Sequence, residues 1–143
     1  MLFRSRRGSL LDADGDDATV DVTSLGLRLN AAVGVGTLGV GSNALETTVD
    51  TVSARATSGG INLLETDGVT VDDVTVSTSR VQSDASVLPV VDATQSDLAT
   101  LSGDGSVVLR SQGGAITLND GTAGGGAVRI GRASCRERVS KQV

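Results

Sequence analysis

The sequence predicts an all-β chain whose short strands coil into a β-solenoid. Two observations point there. Short apolar runs rich in β-branched residues recur about every eight to ten residues, divided by turn chemistry. The interior also has little bulk available, since one Phe is the only aromatic among 143 residues and Gly numbers 19. Val, Leu, Ile and Ala stack well on their own kind at an inter-strand spacing of about 4.8 Å, with Gly, Asn and Asp at the corners. A β-sandwich shares the strand spacing and is the alternative, but repetition and the missing aromatics favour the solenoid. The length fits one domain.

Residues 1–11 carry Arg4, Arg6 and Arg7 without a pattern and read as an unstructured lead. The stretch from Asp12 to Asp17 is an acidic turn. Thr19–Thr23 alternates with period two, with Val20 and Val22 on one face, and Leu25, Leu27 and Leu29 continue the alternation. Asn43 and Glu46 stand at the capping-box spacing, and Leu45, Val49 and Val52 fall at helical intervals. The β-branched Thr47, Thr48, Val49, Thr51 and Val52 argue instead for strand.

Strand-like runs follow at 52–54, 61–63, 69–71, 74–76, 98–101, 107–109, 115–118 and 127–129. Turns such as Thr66-Asp67-Gly68 and Asn119-Asp120-Gly121 separate them. The segment 83–97, with the only proline, Pro89, is the least regular and reads as a loop bulging from the repeat. Arg55–Gly68 and Arg110–Gly121 look like imperfect copies. Their glycine pairs begin at Gly59 and Gly113, an interval that fits two or three coils of about 20–27 residues.

The decapeptide Ile130–Val139, IGRASCRERV, resembles the in-frame translation of a synthetic sequencing adapter, and composition shifts at the same point. A truncated solenoid is therefore assigned to 12–129, and 130–143 is read as a disordered tail foreign to the fold. The single cysteine, Cys135, lies in that tail and has no partner for an internal disulfide.

Composition excludes several functions. Without histidine there is no Ser-His or Cys-His couple, and the commonest zinc sites are missing. Between Gly8 and Arg129 five arginines and no lysine stand against 16 acidic residues, so no nucleic-acid partner is expected. Such a surface stays solvated or attracts divalent cations and cationic partners. No apolar run reaches the roughly 18 residues of a membrane span. Met1–Arg7 is charged with no apolar stretch after it, unlike a signal peptide.

Three motifs carry chemistry on paper. Gly34, Gly36 and Gly39 match G-x-G-x-x-G, but Val40-Gly41-Ser42 is a poor helix start, which favours glycine-rich packing over a dinucleotide site. Lys141 is the sole lysine, so there is no P-loop. Asp12, Asp14 and Asp16, with Asp17 beside them, offer oxygens to calcium, though not at EF-hand spacing; a bare acidic turn is the simpler reading. Asp72 and Asp73, with Arg80 close in sequence, echo the carboxylates and arginine of β-helix enzymes that cleave polysaccharides. Neighbours on a strand point to opposite sides, however, and the lone aromatic, Phe3, is far off in sequence, so none is available there to stack on a sugar. No catalytic residue and no cofactor is assigned, and no enzyme activity is expected.

Three stretches carry a family resemblance. Asp12-Ala13-Asp14-Gly15-Asp16-Asp17-Ala18-Thr19-Val20 resembles a DADGD-x-x-TV module opening. Asn43-Ala44-Leu45-Glu46-Thr47, followed by Val49, Val52 and Ala54, resembles N-x-L-E-T…V-x-x-L-x-A, with Val52 where Leu is usual. Gly59-Gly60-Ile61-Asn62-Leu63, followed by Gly68-Val69-Thr70-Val71, resembles GG-I-x-L…G-x-L-T-V. In these the chain is similar to filamentous-haemagglutinin-like exoproteins and other β-strand-repeat surface adhesins of bacteria. The resemblance implies a right-handed parallel β-helix, export to the cell surface or beyond, and structural or adhesive work without catalysis. The outward Thr, Ser and Asp face would then hydrogen-bond a glycan or a protein ligand. The alternatives are a polysaccharide-active enzyme on Asp72, Asp73 and Arg80, and a calcium-binding modular spacer on Asp12, Asp14 and Asp16. Unpaired strand edges at the two ends of a truncated solenoid predict self-association.

Overall fold

Runs of Val, Leu, Thr and Ala too short and too β-branched for helices become strands, and the described residues contain no helix. A computed structural model describes residues 1–15, 19–103, 105–122 and 124–130. Its strands are β1 (Leu2–Ser5), β2 (Val22–Ala31), β3 (Leu45–Ala56), β4 (Ile61–Glu65), β5 (Val69–Val71), β6 (Ser77–Val81), β7 (Val87–Val91), β8 (Leu98–Thr100), β9 (Val107–Ser111), β10 (Ile116–Leu118) and β11 (Val128–Ile130). The β-branched residues of 47–52 settle into β3, and the capping-box spacing at Asn43 produces no helix.

Nine of these strands form one sheet, and its pairings are parallel. The sandwich alternative would need antiparallel sheets. β1 lies on β2, and β2 on β3, with Val22 opposite Thr47 and Ala31 opposite Ala56. The long β3 is then matched by three shorter strands in a row: β4 against its start, β5 against its middle and β8 against its end. β9, β10 and β11 repeat that row one rung further on.

Register puts like on like. Leu27, Val52, Val71 and Leu118 form one column, and Phe3, Leu29, Ala54, Leu98 and Val128 another. Leu27, Leu29, Ala54, Val71 and Leu98 are fully buried in them. Side chains this small fill the space between backbones about 4.8 Å apart without a thick interior. A polar column, Thr51, Thr70 and Thr117, runs beside them on the other side of the backbone.

The inward parity changes once along the two long strands. Val22 is buried, then Leu27, Leu29 and Ala31; in the next rung Leu45, Thr47 and Val49, then Val52, Ala54 and Ala56. The switch falls at Leu25 and Asp50, both exposed. Leu25, expected on the same face as Leu27 and Leu29, is 81% exposed because the strand bends there.

Several expectations need correction. The lead 1–11 is not without structure: β1 pairs residue by residue with β2, and Leu10 bridges to Val35, because Phe3 and Leu10 pack against the apolar core. The segment 83–97 is not one loop. β6 and β7 form an antiparallel hairpin whose strand residues are all exposed, and residues 95–97 return to the buried interior. Pro89 faces Ser79 in it. Hydrogen bonds at Gln82 to Ser86 and Asp92 to Val76 set the alternation that leaves Pro89 at a non-bonded pair, where its missing N–H costs nothing.

The expected step of about 20–27 residues is met once and exceeded once, and the 54-residue interval between Gly59 and Gly113 does not mark stacked copies. Rungs advance by 26 residues from Val35 to Ile61, then by 46 from Ile61 to Val107, and the longer step contains the excursion 75–94. Gly59 therefore packs on Gly105, where a Cβ would collide with the Gly59 carbonyl. Gly113 and Gly114 pack on Asp67 and Gly68. Ile130, placed in the tail by composition, ends β11, while Cys135 and the rest of 131–143 lie outside the described residues.

Candidate functional site

Parallel pairing brings carboxylates together that sequence keeps far apart. Just before the β2–β3 ladder begins at Val22 and Thr47, Asp21 and Glu46 bond to each other: the Asp21 N–H donates to the Glu46 carbonyl at 3.0 Å, and the Glu46 N–H donates to Asp21 Oδ2 at 3.1 Å. Asp12 arrives from the turn after Leu10, which is itself laced to the next rung by bonds with Gly34 and Gly36. One carboxylate oxygen from each of Asp12, Asp21 and Glu46 lies within 4.8 Å of the others.

Asp12 is fixed from two sides. The Asp14 N–H donates to its Oδ1 at 3.0 Å, and Asn43 Nδ2 donates to its Oδ2 at 2.7 Å. Asn43 is in turn held by Thr37, whose Oγ1 accepts the Asn43 N–H at 2.7 Å. Hydrogen bonding with Asp14, then with Asn43, keeps the Asp12 carboxyl below its ordinary value.

Glu46 is the unusual member. It is 2% exposed, and neither of its carboxylate oxygens has a hydrogen-bond partner. Burial first, and the negative charges of Asp12 and Asp21 after it, push its carboxyl up to about 7. None of the ion pairs among the described residues reaches the three carboxylates. An apolar cavity of about 200 Å³, lined by Phe3, Leu10, Leu11, Val22, Leu29 and Leu45, meets the group at Asp21. The chemistry on offer is an all-oxygen, anionic donor set, suited to a hard cation.

Of the residues singled out by spacing, Asp12 is in this group. Asp14 is exposed and serves Asp12 through its N–H, and Asp16 lies outside the described residues. Asp21 and Glu46 escaped the sequence reading. The signal was there in the alignment of Asp21-Val22-Thr23 on Glu46-Thr47-Thr48, one 25-residue step apart.

Asp72 and Asp73 are engaged with the following rung. Asp72 Oδ2 accepts from Asn119 Nδ2 at 2.9 Å, and Asp73 Oδ1 accepts from the Thr122 N–H at 3.0 Å. Hydrogen bonding from Ser96, then Thr122, holds the Asp73 carboxyl below its ordinary value. Arg80 sits exposed on β6 and makes no ion pair with either among the described residues. The glycine fingerprint is also spent on packing. Gly36 has φ +62°, and a Cβ there would lie 2.5 Å from the Asn62 carbonyl oxygen. No helix follows it.

A second polar cluster covers the outer side of β2 and β3. Gln95 accepts from Arg28 Nε at 3.3 Å and donates through Nε2 to the Leu29 carbonyl at 2.9 Å. Asp92 reaches both Arg28 and Arg4 at under 4 Å. Nearby, the buried Asp97 pairs with Arg129 at 3.0 Å, and Arg55, desolvated and facing Arg129 and Arg28, is lowered from its ordinary value. These contacts join the hairpin base to the sheet.

No family model, no curated protein and no solved structure matches the chain. No helix among the described residues is long and apolar enough to cross a membrane.

Proposed function

We propose that the chain is a right-handed parallel β-solenoid segment of an exported bacterial surface protein, with structural and adhesive work and no chemistry of its own. The observation that carries this reading is the stacking of like residues in parallel register. Small aliphatics occupy the inward columns and Thr51, Thr70 and Thr117 an outward one. Parity reversal at Leu25 and Asp50, one rung apart, supports a corner repeated from coil to coil. A column of hydroxyls at strand spacing offers repeated donors and acceptors to a glycan chain. The carboxylates Asp72 and Asp73 are occupied by bonds between rungs, which speaks for structure over catalysis.

The test is retention of chain-coated beads on a glycan array. Binding to a subset of glycans is expected, with loss in Thr70→Lys and Thr117→Lys variants whose circular dichroism is unchanged. Failure to bind any glycan would overturn the adhesive reading. Release of reducing ends from an acidic polysaccharide, abolished by Asp72→Asn, would replace it with an enzymatic one.

A further inference from the structure

We propose that Asp12, Asp21 and Glu46 form a calcium site that clamps the β2 and β3 rungs together. The proposal is independent of any adhesive role. It starts from an arrangement that is unfavourable without a cation. Asp21 and Glu46 are held against each other by two hydrogen bonds, and their like charges repel. Asp12 adds a third carboxylate within 4.8 Å.

The second observation is the state of Glu46. Its carboxylate is buried with both oxygens lacking a hydrogen-bond partner, a costly condition for a polar group and worse for a charged one. A proton on Glu46 would remove its charge and be shared with Asp21, yet its second oxygen would stay without a partner and the charges of Asp12 and Asp21 would remain side by side. A divalent cation answers both deficits, because it neutralises the cluster and ligates the orphaned oxygens.

The dimensions fit. Oxygens separated by no more than 4.8 Å lie comfortably on a calcium shell with metal–oxygen distances of about 2.3–2.6 Å. Magnesium takes a tighter, near-octahedral shell and gives up its water reluctantly. Asn43, bonded to Asp12, has a buried Oδ1 with no partner, a further oxygen adjacent to the group. Asp12 is half-buried and Asp21 exposed, so water has access to complete the coordination.

The experiment is calorimetric titration of the full chain with CaCl2, together with thermal melts in EDTA and in about 5 mM CaCl2, above the range of weak extracellular calcium sites. One saturable site per chain is expected, with a melting temperature raised by about 3–10 °C. Glu46→Gln should lose the calcium response while melting at or above the wild type in EDTA, since it removes the buried charge. Asp21→Asn, on an exposed residue whose amide oxygen can still accept the Glu46 N–H, gives a second variant should Glu46→Gln fail to fold, and it too should lose the response. Absence of binding heat and of any shift would overturn the site. So would a wild-type calcium response in the variants, and a larger shift with MgCl2 would overturn the choice of metal.

Discussion

Glu65 shows how a single residue ties rungs together at an electrostatic cost. Fully buried beneath β3, its carboxylate accepts from Thr47 Oγ1 at 2.7 Å and from the Val49 N–H at 2.9 Å. Desolvation raises its pKa despite those bonds, with Asp67 adding to the effect. A carboxyl raised in the fold favours the protonated native state. Its contribution to stability is complete below the ordinary glutamate value and is lost as pH rises through the raised one. Denaturant unfolding should therefore show wild-type stability falling across that window. Glu65→Gln, with its amide able to serve both partners, should flatten the dependence there, and an unchanged slope would refute the assignment. Residue identity alone suggested which positions face inward where parity is regular, as at Leu27 and Leu29. It misplaced Leu25 because a bend reverses parity without leaving a turn residue at that point other than Gly26. Glu46 was equally hidden: its neighbours Asp21 and Asp12 become neighbours only through parallel register.

At the level of elements, the alternating runs were readable and their pairing was not. The runs at 61–63, 69–71, 98–101, 107–109, 115–118 and 127–129 all contribute strands. Pairing depends on which residues the chain spends between rungs, and an insertion of 20 residues at 75–94 shifts the spacing without altering the strands that follow. That hairpin stands away from the sheet. Val81, Val87, Leu88 and Val91 are each more than half exposed. Its removal should cost little. Replacing Ser77–Val91 with an Asn-Gly turn, which suits a two-residue hairpin connection, is expected to leave the far-UV spectrum intact and to change unfolding free energy by less than about 1 kcal/mol. Collapse of the cooperative melt would show instead that the hairpin supports β8.

For the whole molecule, the last described rung leaves apolar surface uncovered. Leu98, Val107, Leu109, Ile116, Leu118 and Val128 line a cavity of about 260 Å³ at that end, and Ile116, Leu118, Val128 and Ile130 are 38–56% exposed. Unpaired backbone groups accompany them along β9, β10 and β11, a template for another edge. The acidic body opposes approach of a second copy, and salt screens that repulsion. Sedimentation velocity is expected to show concentration-dependent association that strengthens with ionic strength and weakens in Leu118→Lys. A strictly monomeric chain at all salt concentrations would contradict it. Composition made an all-β architecture legible, because aliphatics this small and glycines this frequent leave few other cores. Nothing in composition specifies which rung is last or how its surface is dressed.

The paired bonds between Val74 and Gln95, at 2.8 and 3.1 Å, pinch the polypeptide shut where it departs and rejoins. Beyond the hairpin base, where Asp92 still reaches Arg4 and Arg28, the strands from Ser77 to Val91 project outside that pinch, so their length and content are uncoupled from the scaffold's registration. Cargo grafted at that position, from a short epitope to an entire small module with adjacent termini, would ride on the ladder without disturbing it.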